Sequence, residues 1–387
     1  MQLSVIILNY NVCEFLEQCV LSVQESLSSI DGEIIVVDNN SSDGSCLMMK
    51  KRFPEVKLIQ NHENFGFPKG NNIGAAEAQG EYICILNPDT IVAEDTFFKI
   101  LAFAERQTNL GITGCKLIDG TGSFLPESKR GIPTPWVAFT KIFGLYKIFP
   151  KNIFFNQYYA QDIDENETGK VDILVGAFML LKRDLYLQLN GFDENCFMYA
   201  DDIDLSYRAL QIQKTNYYFH ETTVLHYKGE STVKDQKYMR RFQEAMDYFY
   251  KKHFKKSLFF SVFIKIGIVF FSLVKMFQGK PKENRIPETY VLYSSDLKLS
   301  KKLSIVLKNK VINYDFKKEK MVNSCLIFQG KSVEVILDNR YVSFKKCINI
   351  IETLKDKRIT FKIFPKNANF IIGSNSKNDR GQIIKIE

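Results

Sequence analysis

None of the eight cysteines in this 387-residue chain stands in a CxxC pair or at a spacing shared with histidine. That absence excludes a zinc knuckle and a small-domain disulfide framework, and the scattered thiols read as reduced. No GxGxxG follows the first apolar run, where the sequence is NYNVCEF, and no GxxxxGK[ST] occurs anywhere. Rossmann dinucleotide binding and P-loop chemistry therefore lose their phosphate cradle. Nucleotidyl transfer, which calls for a glycine- and lysine-rich loop at the same place, loses its support too. The opening MQLSVIILNYN has neither a basic n-region nor a small-residue cleavage site, so no secretory signal is expected and the catalytic part should face the cytosol.

What is present is apolar bulk and an uneven charge. Apolar residues make up 45% of the chain, including 32 Phe and 18 Tyr, enough for at least one large core and, at this length, for two domains. Residues 1–250 carry 23 Lys and Arg against 33 Asp and Glu, a balance of −10, whereas 251–387 carry 29 against 11, a balance of +18. An acidic front half with a basic tail half points to an anionic partner for the tail.

Three apolar runs of strand length, Leu3 to Asn11, Gly32 to Ser45 and Gly80 to Thr90, each end in polar turn residues. Phe15, Leu16, Cys19, Val20 and Val23 lie at helical spacing between the first two, and a helix-like stretch, Lys69 to Gln79, precedes the third. Alternating fully apolar strands with helices predicts a buried, doubly wound parallel sheet. Ligands of such sheets sit beyond the carboxyl ends of the strands, here Asn9 to Asn11, Asp38 to Asn40 and Asn87 to Asp89.

Each polar strand end has a plain alternative. Asp38 can accept hydrogen bonds from a base or ribose, or merely start a solvated turn in DNNSSDG. Pro88 ends its strand, so Asn87 and Asp89 leave the sheet together, which suits a divalent cation or an ordinary β-turn. Asn64 to Gly74, NFGFPKGNNIG, has the composition of a loop that lets a ligand approach the backbone, or of a flexible connection. Gly176 and Ala177 open an apolar strand where small side chains leave room for a sugar, or belong to an ordinary buried strand. His226 stands at a strand end and, taken alone, is more often structural. In FMYADDIDLSYR, helical spacing puts Asp201, Asp204 and Arg208 on one face and leaves Asp202 pointing elsewhere, so capping does not account for all three acids.

Taken together and in this order, ILNYN, VVDNNSSDGS, NFGFPKGNN, LNPD, GAFMLLKRD, GFDENCFMYADDIDL and HYKGEST resemble glycosyltransferase family 2, the inverting GT-A enzymes. The likeness covers Leu3 to Thr232, continues toward Tyr250, and is nearest to the rhamnosyltransferase-like branch that builds bacterial surface polysaccharides. It implies a GT-A fold, a Rossmann-like, mostly parallel α/β sheet of the nucleotide-diphospho-sugar transferases, over 1–250. It implies a nucleotide-sugar donor, with dTDP-rhamnose the best guess, and a lipid-linked or polysaccharide acceptor. Asp38 would hold the nucleobase or ribose, and Asn9, Asn64, Gly66, Phe67, Asn71, Asn87, Gly176 and Ala177 would complete the nucleotide-sugar site. Asn87 and Asp89 fill the family's DxD position, with Asn a departure from strict DxD. Asp89 and His226 would meet a divalent metal, Mg2+ or Mn2+. Asp202 takes the place of the family's general base, and Asp201, which replaces the usual Glu, would share or exchange that role. Asp204 and Arg208 would then anchor the segment. A catalytically inactive scaffold of the same fold, binding glycan or partner enzymes, is the alternative.

The tail half adds two expectations. Ser257 to Phe277 is apolar, but Ser257, Ser261, Lys265, Ser272 and Lys275 form one stripe and basic clusters flank both ends. Residues 251–287 are therefore expected to be a basic amphipathic helix and linker lying on the anionic inner face of the plasma membrane, with a true span and a buried helix as alternatives. Residues 288–387 read as a small basic α/β module of strands around one helix. Nucleic acid is not an expected partner, because the tail's aromatics sit in apolar runs instead of alternating with Arg.

Overall fold

The computed structural model describes residues 1–228, 236–254, 287–315, 332–375 and 381–386. Its first sheet begins β1 (Leu3–Asn9), α1 (Cys13–Leu27), β2 (Gly32–Asp38), α2 (Ser45–Arg52), β3 (Lys57–Gln60), α3 (Gly66–Ala76) and β4 (Tyr82–Leu86). β1 and β4 are buried along their whole length, as strands covered on both faces must be. The four strands run parallel in the order β3-β2-β1-β4, with Asn9 level with Asp38. α1 covers one face through Phe15, Leu16, Cys19, Val20 and Val23, the stripe its sequence spacing predicts.

α3 bears out the helix-like stretch read at Lys69 to Gln79 and corrects the loop reading of NFGFPKGNNIG, most of which is helix. Helix begins at Gly66, whose φ of 81° admits the turn, and runs through Gly70 and Gly74. A Cβ on Gly70 would come within 2.4 Å of Leu8, and one on Gly74 within 2.6 Å of Ile6 and 2.9 Å of Val37. These two glycines let a helix press onto the sheet; they do not bare backbone to a ligand.

The chain continues through β5 (Thr90–Ile91), α4 (Thr96–Glu105), β6 (Leu110–Ile118), α5 (Pro135–Ile142), α6 (Leu145–Ile148), β7 (Gly169–Val171), β8 (Phe178–Lys182), α7 (Arg183–Gln188), α8 (Asp201–Gln211), β9 (Thr215–His226) and α9 (Gln236–His253). β8 inserts antiparallel between β4 and β6, β6 pairs parallel with β9, and the short β5 and β7 pair antiparallel with β9. The carboxyl ends of β1, β2 and β4 and the start of β8 thus open on one edge, with α8 beside them.

A second sheet follows: β10 (Thr289–Tyr293), α10 (Leu297–Val306), β11 (Val311–Tyr314), β12 (Val333–Asp338), α11 (Phe344–Thr353), β13 (Ile359–Phe364), β14 (Phe370–Gly373) and β15 (Gln382–Lys385). Its order is β11-β10-β12-β13-β14-β15, parallel as far as β13 and antiparallel beyond. Two helices occur here where the sequence reading places one. The amphipathic segment Ser257 to Phe277 and an expected strand at Asn323 to Gly330 lie outside the described residues.

One hydrophobic cluster joins the two sheets: Phe15, Ile91, Ile118, Leu225 and Tyr227 of the first pack with Val335, Ile348, Ile351 and Ile372 of the second. Around it, the Glu94 carboxylate accepts from the Phe344 and Lys345 backbone N–H groups at 2.6 and 2.8 Å, capping α11 from the neighbouring sheet. Lys116 of β6, itself buried, pairs with Glu352 at 2.7 Å. Among the described residues no helix is long and apolar enough to cross a membrane.

Candidate active site

At the carboxyl edge of the first sheet lies a cleft of about 380 Å3. Asn64, Gly66, Phe67, Asn87, Asp89, Gly176, Ala177, Asp201 and Asp202 all line it, so nine of the residues expected from sequence converge on one space. Asn9, Asp38, Asn71 and His226 stand behind the wall. Asn9 donates to Asp38 Oδ1 at 2.7 Å and the Ser41 N–H donates to Asp38 Oδ2 at 2.8 Å, so both oxygens of this buried carboxylate hold the β1 and β2 loops. Their neighbours Tyr10 and Asn39 reach the cleft instead. Asn71 donates to the Phe67 carbonyl within α3.

β4 ends at Leu86, and the turn through Pro88 brings the chain back as β5, whose Thr90 pairs with His226 at the end of β9. That pairing sets His226 Nε2 3.3 Å from Asp89 Oδ1 and 3.4 Å from the Asn87 amide nitrogen. His226 Nδ1 is buried and has no hydrogen-bond partner among the described residues. One carboxylate, one imidazole and an amide at a strand end suit a hard divalent cation whose remaining ligands are substrate oxygens and water. Among the described residues no group of three or more His, Cys, Asp and Glu gathers to hold a metal unaided.

The acids of α8 divide in three directions. Asp204 and Arg208 pair at 2.6 Å one turn apart, and Asp204 also meets Lys252 and His253 at 2.8 and 2.6 Å, tying α9 to α8. This is the anchoring expected of them, extended by two α9 residues whose approach is not encoded locally. Asp201 does not join that face as helical spacing suggests. The turn enters α8 from Tyr199 at φ 83°, a left-handed conformation rare for a tyrosine, and Asp201 faces the cleft. Asp202 Oδ2 accepts from Arg130 at 2.5 Å and from the Gly176 N–H at 3.1 Å, while Oδ1 accepts from the Ile203 N–H at 2.8 Å. A Cβ on Gly176 would lie in ordinary van der Waals contact, 3.4 Å from both Asp202 Cβ and the Phe67 ring, so the backbone runs directly beneath both side chains.

Asp201 and Asp202 are 6% and 8% exposed. Burial, reinforced by the Asp202 charge, pushes the Asp201 carboxyl up to about 7. Asp201 Oδ1 has no hydrogen-bond partner among the described residues. Arg130 counters the two acids from inside the wall and also donates to the Leu174 carbonyl at 3.0 Å. Beyond it, Glu127 is half-buried, yet the Lys228 ammonium beside it outweighs the desolvation and holds its carboxyl below the ordinary range. Arg130, Glu127, Lys141 and Tyr158 escape sequence reasoning: they come from the loops and short helices between β6 and β7, where no motif marks a single Arg or Lys.

Residues 4–189 match the family model "Glycosyl transferase family 2", a span that takes in Asn87 and Asp89 and stops before α8. The chain is 27% identical over 213 residues to the N-acetylglucosaminyl-diphospho-decaprenol L-rhamnosyltransferase of Mycobacterium tuberculosis, covering 52% of this chain and 68% of that protein. It is 29% identical over 207 residues to rhamnosyltransferase WbbL of Escherichia coli, covering 50% and 72%. A solved mannosyltransferase of Pyrobaculum calidifontis, in complex with GDP-Man and Mn2+, aligns with 72% of this chain and 76% of its own at 17% identity and a TM-score of 0.47. Residues 4–189 therefore carry a domain of glycosyl transferase family 2, and the chain is a glycosyltransferase whose relatives include rhamnosyltransferases.

Proposed function

We propose that this enzyme is an inverting transferase that moves a sugar from a nucleotide-diphosphate donor, with dTDP-rhamnose the first candidate, to a lipid-linked or surface polysaccharide acceptor. The observation that carries the reading is the convergence of Asp89 with Asp201 and Asp202 on one cleft. The names of the mycobacterial and Escherichia coli relatives support rhamnose as the sugar, and the former's acceptor, a decaprenol-linked diphosphate, supports the lipid.

In the reaction the acceptor hydroxyl oxygen bonds to the anomeric carbon as the bond to the diphosphate oxygen breaks on the opposite face, and the hydroxyl proton passes to a carboxylate. Asp201 and Asp202 act as that acceptor together. Below about pH 7 Asp201 holds a proton; above it the Asp201 carboxylate is free to receive one. Arg130 and the Gly176 N–H orient Asp202. Asp89 and His226 would hold a divalent cation, which when bound neutralises charge on the departing diphosphate. Tyr10, Asn39 and Asn64 face the nucleoside end, and Asp38 with Asn9 stiffens the loops that present them.

We further propose a catalytic domain over 1–250, a membrane-associating segment over 251–287 on the inner face of the plasma membrane, and an accessory module over 288–387. A thermal-shift screen of nucleotide sugars with and without Mg2+ or Mn2+ tests the donor and metal assignments. One donor should stabilise the protein only when metal is present. If no nucleotide sugar stabilises it under either condition the reading fails, and binding without any turnover identifies a scaffold instead of an enzyme.

A further inference from the structure

Residues 135–160 hold nine aromatic side chains, three lysines and no acid. Apolar residues in such number normally fill a core, yet here Trp136 is 48% exposed, Ile148 66%, Phe149 47%, Ile153 65% and Phe154 66%. α5 shows how the exposure is built. Thr134 caps the helix, accepting from the Val137 N–H at 3.3 Å, and Val137 and Thr140 face inward, buried. Trp136 stacks on Phe139, and Phe139 packs at a tilt against Phe143, along the opposite side at three- and four-residue spacing. Phe155 braces both Trp136 and Phe149. The Trp136 indole N–H donates to the Phe154 carbonyl at 2.8 Å, so the exposed ring has no remaining polar demand. Lys147 and Lys151 are exposed among these rings.

We infer that residues 135–155 form a docking surface for an anionic lipid bilayer, seating the mouth of the catalytic cleft against the membrane. A clustered apolar patch of this kind marks an interaction site. Aromatic rings beside lysines, with no acid among them, match the interface of anionic lipid, where rings bury and ammonium groups meet headgroups. The surface is continuous with the site: Lys141 of α5 and Tyr158 line the cleft, with the Lys141 ammonium 3.6 Å from the centre of the Tyr158 ring. An acceptor sugar on a lipid diphosphate would need only to rise from the bilayer surface past Lys141 to reach Asp201 and Asp202. The inference deepens the lipid-linked acceptor reading and takes its purpose from it, while the binding itself is measurable without it.

Trp136 is the chain's one tryptophan and stands in the patch, so the intact protein carries its own probe. Vesicles rich in phosphatidylglycerol should shift its emission to the blue, and acyl-brominated lipid should quench it. Phosphatidylcholine vesicles alone should do far less. Ile153→Ser with Phe154→Ser should lower vesicle partition by on the order of tenfold, since two large apolar side chains leave the bilayer. Turnover with a short water-soluble acceptor should stay at the parent level. Vesicle binding that leaves Trp136 emission unmoved assigns the contact to another part of the chain and overturns the inference. So does a blue emission that depends on protein concentration without lipid, which marks a second copy as the occupant, or one already blue in dilute protein, which marks a patch covered by the chain itself. If Trp136 inserts but no donor sugar is ever consumed, the transferase reading fails while this surface stands.

Discussion

Asp201 is where the chemistry is most exposed to measurement. A carboxyl pushed up to about 7 by burial and by the Asp202 charge should give kcat/KM a limb that rises with pH through about 7, and Asp201→Asn should remove the limb. The same shift has a stability consequence of defined sign. The folded value lies above the ordinary 3.8, so folding favours the protonated form. Stability is lost as pH rises from about 4 to about 7 and is level above that. Thermal melts of Asp201→Asn and parent should therefore coincide near pH 4 and separate by pH 8, with the variant the more stable. Asp202→Asn should cut transfer by about 10²- to 10⁴-fold while donor binding survives; near-parental turnover would remove Asp202 from the reaction. Arg130→Met leaves Asp202 buried without its cation and should cost about 3–5 kcal/mol in a denaturant titration.

Among the elements, α3 and α8 depend on glycine in different ways. Gly74 faces two fully buried β-branched side chains that have little rotamer freedom, so Gly74→Val should destabilise by about 1–3 kcal/mol and lower the denaturant midpoint with little change in the slope. Gly66 meets the backbone instead: a Cβ there would stand 2.6 Å from the Phe197 carbonyl oxygen, at a φ of 81°. Because Phe197 leads through Tyr199 into α8, Gly66→Ala should disturb the Asp201 turn and lower turnover more than it lowers the melting temperature. Steady-state kinetics beside a melt separates the two effects. The strands were readable because their apolar runs are long enough to be buried on both faces. At NFGFPKGNNIG the loop reading competed with the helix-like stretch from Lys69, because a helix that rests on a sheet through glycine has the composition of a flexible loop. Period and composition record a residue's own preference, and the reason for Gly70 is the position of Leu8.

At the scale of the molecule the two sheets share one core. Ile91, Ile118, Leu225 and Tyr227 meet the second sheet at β5 and β9, the strands whose pairing sets His226 beside Asp89. A chain ending at His253 would expose that cluster to water and take Glu352 from Lys116. It should melt several degrees below the full chain and aggregate on heating, and its stabilisation by metal with donor should weaken. A truncated chain with the full-length melting temperature would show the second sheet to be dispensable to the first. The charge asymmetry announces a separate tail half, but nothing in the order of residues announces that its helix α11 would be capped by Glu94 from far upstream.

The amino-acid order by itself determined the alternation of buried strands and helices, the polar strand ends and the run of acids at the start of α8, because these follow from local period, turn chemistry and the pleat. The tertiary structure alone decided which acids meet. Beyond the Arg208 that helical spacing already offered it, Asp204 went to Lys252 and His253 of α9, Asp202 to Arg130 across 72 positions of chain, and Asp201 to the cleft. A carboxylate's role depends on the dielectric and the charges within a few ångströms of it, and those neighbours are supplied by segments that no local pattern brings together.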